Sequence, residues 1–576
     1  MAAPPTQSSS SPRRLARDLA HGLPWMGLGL ASNLDARPAP DPWRLLDVDP
    51  TAFDYLEYSA PLSLEDARRE AHGFGELERR RPELGALLHP VHLNLYGPAL
   101  ERPSALAALD AHARAVGSPW VSNDVAWWHV DGRVFPGHRY LAPPLTRTGL
   151  DDCAAHAVHV QAALSVPLLL ENPAFVAVRG AMHVLDFMAE LHARTGCGLV
   201  LDLGHLLSHQ LARDLAPDAG LEGFAWEAVV EIHVAGGVVT RRGGRRVYVD
   251  DHPLPVREEV FALLEAVRPR CAALRAVTLE GDGQPDPVAA LALRRLRRDV
   301  PREPPAAATG GRAAAAPRAR ALAPDAAGAR ARGAQPPASP GDGAWRVFDE
   351  TFGATRAQED AIGASLEAEF RLAVLAELLD REWPRTRRLV APDTAGLAAF
   401  AASGFFRAAY EGGGGSLGDR FGAYAAERVA PHVEPVFRFE RDARAAASRA
   451  RRRPPPAPGR AGLGPGVGLG EADVDLTELL YAAAALERHL AGRAQVSGRF
   501  DASGFDALHQ VARRAPRARF PFAARWRSGA VEVLPLPPAL AALLARAARG
   551  DPLVELERAA PAIAAWATRE GWLAGG

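Results

Sequence analysis

The chain has 576 residues, a formal net charge of -1 and three cysteines. This length predicts several domains, and the balanced charge excludes a whole-chain attraction to nucleic acid or to an anionic membrane. The cysteines are far apart and form no CxxC pair, which excludes a disulfide framework and a thiolate zinc site. Because no apolar run approaches the roughly 18 residues that span a bilayer, and no secretory signal pattern is present, we expect a cytoplasmic protein without a membrane partner.

The first elements predicted from the sequence are two strands that follow a polar N-terminal segment. Residues 1–20 are small and polar, and we predict that they are disordered. The first strand lies in GLPWMGLGLASN, residues 22–33, whose glycines lack the GxGxxG spacing of a dinucleotide site. The second strand, FDYLEYSAP, places Glu57 near its end and is followed by a charged helix over 64–81.

The third predicted strand, ELGALLHPVHLNLYG, carries His89 and His92. Residues three apart in a strand face opposite sides of a sheet, so both could bind one ion only if the chain bends at Pro90. A helix over 103–116 follows, and the next strand, in SPWVSNDVAWWHVDG, ends near Asp124.

The stretch over 166–205 has the strongest chemical pattern. Two apolar runs, VPLLLENPAF and TGCGLVLDLGHLL, end in Glu171 with Asn172 and in Asp202 with His205, and an amphipathic helical segment separates them. This order is typical of a βαβ unit. In parallel α/β barrels, the carboxyl ends of the strands hold the active site.

Strands and helices alternate along the first 300 residues, and roughly eight strand candidates predict a TIM-like (β/α)8 barrel over 21–300. The predicted metal ligands are the polar residues near the strand ends: His89, Asp124, Glu171, Asn172, Asp202, His205, Glu231, His233, Asp250, His252 and Glu280. Among them, Asp202, His205 and Glu280 are the predicted catalytic residues. Converging carboxylates repel unless protons or cations neutralise them. Oxygen and nitrogen ligands without thiolates favour Fe, Mn, Zn or Mg.

The second half of the chain has a different composition. Residues 301–343 are rich in Ala, Pro, Arg and Gly, and we predict a disordered linker. A helical domain is predicted over 344–450, a second linker over 451–471, and a small α+β or winged-helix-like module over 472–576. No basic recognition helix is apparent, so we do not expect a nucleic-acid partner.

Five motifs of the first half, LENPAF, TGCGLVLDL, VVEIHVAGG, VDDHPLPV and LEGD, occur in the order of the motifs of a known family. Together they resemble the DUF692 family of multinuclear iron enzymes, which includes the methanobactin biosynthesis oxygenase. The resemblance covers residues 22–290. It implies a TIM-like barrel with two or three irons and O2 as co-substrate. It also implies oxidation at cysteines of a ribosomally made peptide, which a partner protein or the fused C-terminal half presents.

The resemblance implies that the strand-end residues named above bind iron or orient its ligands, but several positions depart from the family motifs. The motif SDH corresponds here to Ser122, Asn123 and Asp124, so a carboxylate replaces an imidazole. Gly204 and His205 stand in place of paired asparagines, and Gly237 in place of a histidine. These departures predict fewer ions, a different metal or altered chemistry, with His205 and His92 as candidate replacement ligands.

Two other functions remain open at this point. Barrels of the xylose-isomerase type, which include isomerases and endonuclease-like hydrolases, also gather Glu, Asp and His at strand ends. A barrel that has lost part of its site could instead be a non-catalytic scaffold, with the same side chains paired to arginines. Because a fold alone does not define a function, the leading prediction, an iron-dependent oxidative enzyme acting on a peptide, depends on the site.

Overall fold

The computed structural model describes most of the first half of the chain and parts of the second. The described residues are 22–32, 39–58, 77, 79–90, 93–135, 140–242, 244–303, 342–352, 360–411, 415–451, 456–473, 476, 479, 510, 513, 519–527 and 530–575. The predicted disordered segment 1–20, most of the predicted helix over 64–81, most of the linker 301–343, and His92 lie outside these residues.

A closed barrel of eight parallel strands forms the first half of the chain. The strands of this half are β1 (Gly27–Ala31), β2 (Tyr55–Tyr58), β3 (Gly85–Leu88), β4 (Val121–Asp124), β5 (His129–Val130), β6 (Arg133–Val134), β7 (Leu168–Glu171), β8 (Gly198–Asp202), β9 (Val229–Ala235), β10 (Gly237–Arg242), β11 (Arg245–Asp250) and β12 (Ala276–Glu280). The barrel order is β1-β12-β9-β8-β7-β4-β3-β2, and β1 pairs with both β12 and β2. The predicted TIM-like barrel is therefore confirmed.

Helices connect the barrel strands and pack around them. They are α1 (Pro42–Val48), α2 (Pro103–Val116), α3 (Arg147–Ala163), α4 (Val184–Thr195), α5 (Leu203–Ala212), α6 (Glu258–Val267) and α7 (Asp286–Asp299). Helix α4 ends at Gly196, which adopts the left-handed conformation that glycine tolerates. Asp202 precedes helix α5 and caps its N-terminus, since the Asp202 carboxylate accepts a hydrogen bond from the backbone N–H of His205. The start of α5 therefore holds two predicted site residues close together.

The segment around Asp250 differs from the prediction of another barrel strand. Strands β10 and β11 form an antiparallel hairpin that follows β9, and Asp250 pairs with Gly237 at its base. The tip of the hairpin lies between Arg242 and Arg245. The alternating apolar residues before Asp250 are typical of a strand, and this pattern does not distinguish a barrel strand from a strand of a hairpin.

Residues after the linker pack with the barrel. The chain divides into two compact units, and the first contains the barrel together with α8 (Asp342–Phe352) as far as residue 351 and residues 360–368, the first turns of α9 (Ala361–Glu382). Trp345 lies edge-on to Trp127, with ring centroids 5.3 Å apart. The sequence predicts a separate helical domain that starts at residue 344. A contact between aromatic residues so far apart in the chain leaves no local sequence pattern, so the packing of α8 on the barrel could not be predicted.

Asp360 connects two loops at the carboxyl end of the barrel. One of its carboxylate oxygens accepts a hydrogen bond from the backbone N–H of Val178, in the loop after β7, at 3.2 Å. The other accepts from the backbone N–H of Gly363 at 2.8 Å and from Arg245, at the hairpin tip, at 2.6 Å. We call residues 342–351 with residues 360–368 the α8–α9 clasp.

A buried arginine makes a second set of contacts within the clasp. Arg179 donates to Thr351 at 2.9 Å and to Glu367 at 3.2 Å, and it lies 3.3 Å from a carboxylate oxygen of Glu350. Together with Asp360, it attaches the clasp to the loop after β7.

We expect Asp360→Ala to lower the free energy of unfolding of the first unit by about 3 kcal/mol, because Arg245 is left without its buried carboxylate. Denaturant unfolding followed by tryptophan fluorescence measures this change. Glu258→Ala is the control, since the Glu258–Arg295 pair is largely exposed and solvent screens its attraction, so its loss should change the free energy of unfolding much less. If the two substitutions lowered the free energy of unfolding equally, the Asp360–Arg245 pair would not stabilise the first unit as expected.

The second unit runs from Glu369 to the C-terminus and is mostly helical. Its further elements are α10 (Thr386–Val390), α11 (Thr394–Ala401), α12 (Gly404–Ala408), α13 (Leu417–Ala426), α14 (Glu434–Ala450), β13 (Ala461–Leu463), β14 (Gly468–Ala472), β15 (Phe520–Arg527), β16 (Ala530–Pro535), α15 (Pro538–Ala548), α16 (Leu553–Ala559), α17 (Pro561–Arg569) and β17 (Leu573–Gly575). None of the helices described is long and apolar enough to cross a membrane.

Part of the predicted second linker, 451–471, is ordered into strands. Strand β13 pairs with β17, and β14 forms an antiparallel sheet with β15 and β16. The glycine-rich composition suggests a linker, but Gly468 and Gly470 allow close approach: a Cβ at Gly468 would lie 2.3 Å from the carbonyl oxygen of Ala446, and one at Gly470 would lie 2.5 Å from the Phe522 ring.

Candidate metal centre

The acids and imidazoles predicted near the strand ends lie together inside the carboxyl end of the barrel. We call this group the carboxylate–imidazole cluster: Glu57, His89, Asp124, Glu171, Asp202, His205, Glu231, His233, Asp250, His252 and Glu280. The structure therefore brings together the predicted ligands, including the predicted catalytic residues Asp202, His205 and Glu280. Glu57 joins them from β2.

His233, on β9, lies at the centre of the cluster and is fully buried. Its Nδ1 lies 3.1 Å from Glu171 and 3.5 Å from Glu280, and its Nε2 lies 3.3 Å from Glu57 and 3.6 Å from Glu231. Glu231 and His233 are two residues apart in one strand, so both project into the barrel. One imidazole thus touches carboxylates from four strands.

The hairpin side of the cluster is built around Asp250. One of its carboxylate oxygens lies 3.5 Å from Nε2 of His205 and 3.2 Å from Nε2 of His252. His252 also lies 3.8 Å from Glu280. Its side chain is 27% exposed, whereas that of His205 is 7% exposed. The cluster is therefore most open to solvent at His252.

The carboxylates outnumber the imidazoles, seven to four. Protonating all four histidines would still leave three carboxylates without a charge partner. Among the described residues, no arginine forms an ion pair with any of the seven. Buried carboxylates in such excess need protons or cations, so the cluster fits metal ions.

Buried ligand atoms without a hydrogen-bond partner support the same conclusion. Among the described residues, such atoms include Oδ1 of Asp124, Oε2 of Glu171, Oδ2 of Asp202, Nε2 of His233 and Oδ1 of Asp250. Buried polar atoms are nearly always paired in folded proteins. Bound cations would give partners to such atoms in Asp124, Glu171, Asp202 and His233, which all belong to groups close enough to hold an ion.

Three overlapping groups of cluster atoms are close enough to hold an ion, with all atoms of a group within 4.8 Å of one another. The groups are Glu57 with His89 and His233; Glu171 with Asp202, His233 and Glu280; and His89 with Asp124 and Glu171. Shared members place these groups side by side, as expected when carboxylates bridge neighbouring ions.

Burial changes the protonation of the cluster. It raises the pKa of Asp124, Glu171 and Glu280 to about 7 each, although nearby imidazoles oppose the shift. Burial alone would also raise the pKa of Glu231. Hydrogen bonding to His233, the imidazole charge and the Trp120 indole N–H outweigh it and lower the pKa to about 2.

Asn172, predicted as a ligand, bonds the backbone of Asp202 with both of its side-chain polar atoms. Its side-chain oxygen accepts from the Asp202 N–H at 2.9 Å, and its side-chain nitrogen donates to the Asp202 carbonyl at 3.0 Å. The Asn172 carbonyl accepts a hydrogen bond from Nδ1 of His205 at 2.8 Å. Because a carbonyl can only accept, Nδ1 carries a proton. Despite burial, the neighbouring carboxylates raise the pKa of His205, so in the metal-free fold Nε2 also carries a proton and donates toward Asp250. An ion would bind Nε2 in place of that proton.

We expect Asn172→Ala to weaken metal binding about 10–100-fold, since losing a residue that orients a ligand has effects of this size. Competition with a coloured chelator measures the affinity. Asn94→Ala is the matched control, because the buried Asn94 amide bonds the backbone of Trp128 and His129, outside the cluster. Unchanged affinity in Asn172→Ala would show that Asp202 needs no such support.

Glu57 was not predicted as a ligand, although its position near the end of a strand was visible in the sequence. The structure buries it 3.3 Å from His233. Tyr55, two residues earlier, donates toward Glu231 at 3.5 Å and lies 2.7 Å from Thr278. These contacts join distant strands, so a single-sequence pattern does not show them.

The first half of the chain matches a known family. The profile described as "RiPP precursor modification enzyme MbnB/TglH/ChrH" matches residues 39–297. A UPF0276 protein from Caulobacter vibrioides is 30% identical over 264 residues, which are 46% of this chain and 89% of that protein. The chain belongs to this family. The resemblance to DUF692, another designation of the MbnB/TglH/ChrH family, is thereby confirmed.

Other relatives and solved structures cover the same part of the chain. A UPF0276 protein from Bordetella parapertussis is 35% identical over 207 residues, 35% of this chain and 71% of that protein. Endonuclease IV from Thermus thermophilus aligns with 47% of this chain and 98% of its own at 18% identity and a TM-score of 0.32. A xylose isomerase-like TIM barrel protein from Mycobacterium smegmatis in complex with magnesium aligns with 48% and 97% at 15% identity and the same score.

Proposed function

We propose that this member of the MbnB/TglH/ChrH family is a multinuclear iron-dependent oxidative enzyme that modifies a ribosomally made peptide at cysteine. The observation that carries the proposal is the excess of buried carboxylates over imidazoles inside a barrel of a family of peptide-modifying enzymes. Bound iron would supply the activation of O2 and a binding position for the substrate thiolate.

The chemistry of the ligand set supports a transition metal. Imidazole with carboxylate suits Fe, Zn and Mn, whereas Mg prefers oxygen ligands and retained water. The overlapping atom groups around His233 and Glu171 support two neighbouring ions. Zinc has no redox chemistry, and iron is the metal that the family resemblance implies for O2 chemistry on a thiol.

The thiol of the proposed reaction belongs to the substrate. Cys153, Cys197 and Cys271 are free and buried. Burial raises the pKa of Cys197 to about 11 and that of Cys271 to about 12, and it raises the pKa of Cys153 well above its usual range. These side chains stay protonated at neutral pH, and a thiol is a poor metal ligand or nucleophile.

The residues of the centre have distinct proposed roles. Asp202 and His205, both oriented by Asn172, would bind an ion when it is present. Glu280 lies beside His252 at the exposed edge and belongs to the same candidate ion group as Asp202. Its carboxylate would bind an ion there or accept a proton from the substrate thiol. The substrate cysteine would approach at His252, the most exposed imidazole of the cluster.

The C-terminal half is proposed as a fused peptide-recognition module. The α8–α9 clasp contacts the loop after β7 and the tip of the β10–β11 hairpin, both at the carboxyl end of the barrel. The clasp, which belongs to the same compact unit as the barrel, therefore connects the chain after the linker to loops at the carboxyl end of the barrel. A separate partner protein presenting the peptide is the alternative arrangement.

The scaffold alternative predicts site side chains neutralised by arginine. Among the described residues, the cluster carboxylates pair with imidazoles instead, and this favours a functional centre. An isomerase or hydrolase would share the centre and differ in needing no O2.

Co-expression of the full chain with each short cysteine-containing peptide encoded near its gene tests the function. We expect a mass change in one peptide, lost when its cysteine is replaced by serine, together with O2 consumption by the iron-loaded protein. His233→Ala should abolish both. Turnover with zinc or manganese and without O2 consumption would replace the proposal with a hydrolase or isomerase, and no mass change in any peptide would contradict it.

A further inference from the structure

A tyrosine hydroxyl reaches the hairpin side of the cluster without a hydrogen-bond partner. Tyr248 is 1% exposed, and its hydroxyl is one of the buried atoms that contact no donor or acceptor among the described residues. Tyr248 and Asp250 are two residues apart in β11, so their side chains project from the same face of the hairpin. Burying a phenol hydroxyl without a hydrogen-bond partner costs free energy. A ligand of the cluster that bonds this hydroxyl would offset the cost.

Two glycines make room for this hydroxyl. A Cβ added at Gly237 would lie 2.3 Å from the Tyr248 oxygen, and one added at Gly204 would lie 3.0 Å from it. The same Gly204 position is 3.3 Å from Oδ1 of Asp202. Tyr248 therefore occupies space that side chains at either position would fill, and it does so beside Asp202.

Three buried oxygens without hydrogen-bond partners thus lie on this side of the cluster: the Tyr248 hydroxyl, Oδ2 of Asp202 and Oδ1 of Asp250. The two carboxylates lie at different ring nitrogens of His205: Nδ1, which donates to the Asn172 carbonyl, is 3.8 Å from Asp202, and Nε2 is 3.5 Å from Asp250. Nε2 and the Asp250 carboxylate are therefore the groups that one ion could share with the Tyr248 hydroxyl. An oxygen-rich position with one imidazole suits an Fe(III) ion.

We propose that Tyr248 is a further ligand of the metal centre and binds ferric iron through its phenolate oxygen beside Asp202, His205 and Asp250. Formation of the Fe–O bond breaks the phenol O–H bond, and the proton leaves to solvent. This inference rests on the proposed iron centre. It adds a ligand from the hairpin, which the barrel strands do not supply.

Phenolate bound to Fe(III) absorbs visible light through charge transfer, which provides a readout independent of activity. The full chain is purified anaerobically, loaded with Fe(II), oxidised with ferricyanide, and examined by visible absorption and resonance Raman spectroscopy. We expect a charge-transfer band with tyrosine ring vibrations. Compared at equal iron occupancy, Tyr248→Phe should lose the band, and it should bind iron more weakly than the wild type. The stability of the metal-free protein should not change, because the hydroxyl that is removed has no hydrogen-bond partner there.

Two further variants complete the test. Tyr96→Phe is the matched control, because Tyr96 also has a buried hydroxyl without a partner but does not belong to the cluster; it should keep the band. Gly204→Ala should shift or weaken the band, since the new Cβ displaces the phenol. A wild-type protein that holds iron without the band, or a band that persists in Tyr248→Phe, would overturn this inference and leave the iron centre intact. Failure to bind iron would overturn both.

Discussion

Replacing His233 with alanine should remove the metal and destabilise the barrel more than any other single substitution in the cluster. His233 contacts Glu57, Glu171, Glu231 and Glu280. Without it, four buried carboxylates lose their shared imidazole, and removing one partner of a buried pair costs about 3–5 kcal/mol. Metal content should fall to less than about a tenth of the wild-type value, since each of two candidate ion groups loses its central nitrogen ligand.

Metal analysis and denaturant unfolding of the same preparation separate the two effects. His192→Ala is the matched control, because His192 is a buried histidine whose Nδ1 donates to the Cys197 carbonyl, outside the cluster. It should cost stability and keep the metal. A His233→Ala protein with full metal content would contradict the assignment of His233 as the shared ligand.

Chelation should lower the melting temperature of the barrel, and the effect should grow as the pH rises. The pKa values of Asp124, Glu171 and Glu280 are raised to about 7 in the metal-free fold, above about 4 in the unfolded chain. These three carboxyl groups therefore contribute fully to the free energy of unfolding of the metal-free protein below about pH 4, and this contribution is lost as the pH rises through 7. The pKa values of His205, His233 and His252 are also raised, despite burial, by the neighbouring carboxylates, and this acts in the same direction.

Metal binding reverses this dependence, because an ion binds the deprotonated groups. At free metal 1,000-fold above the dissociation constant, binding should stabilise the fold by about 4 kcal/mol, a shift on the order of 10 °C. Scanning calorimetry with and without chelator at pH 6, 7 and 8 measures it. If the difference in melting temperature between the metal-bound and the chelated protein became smaller as the pH rises, the raised pKa values of the metal-free cluster would be contradicted.

The barrel and most of its site could be predicted because the signals are local. Strands β7, β8 and β9 are apolar runs that end in or contain charged residues, and helix α2 matches its predicted bounds, with a proline at its start and a glycine after its end. Since parallel strands end at one face, local strand ends were enough to predict a shared cluster.

Features that depend on long-range contacts could not be predicted. The hairpin that carries Asp250, the clasp contact of Asp360 and the strands within 461–472 all require partners far along the chain. The sequence shows that side chains of the family motifs are missing at Gly204 and Gly237. Only the structure shows that Tyr248 fills this space.

Metal analysis of anaerobically purified, full-length protein tests the central claim most directly. We predict at least one equivalent of iron per chain, with more than one if the neighbouring atom groups are filled, and loss of iron in both His233→Ala and Asp202→Ala. Less than about half an equivalent of any transition metal, in a protein whose barrel is folded, would contradict the assignment of the cluster as a metal centre.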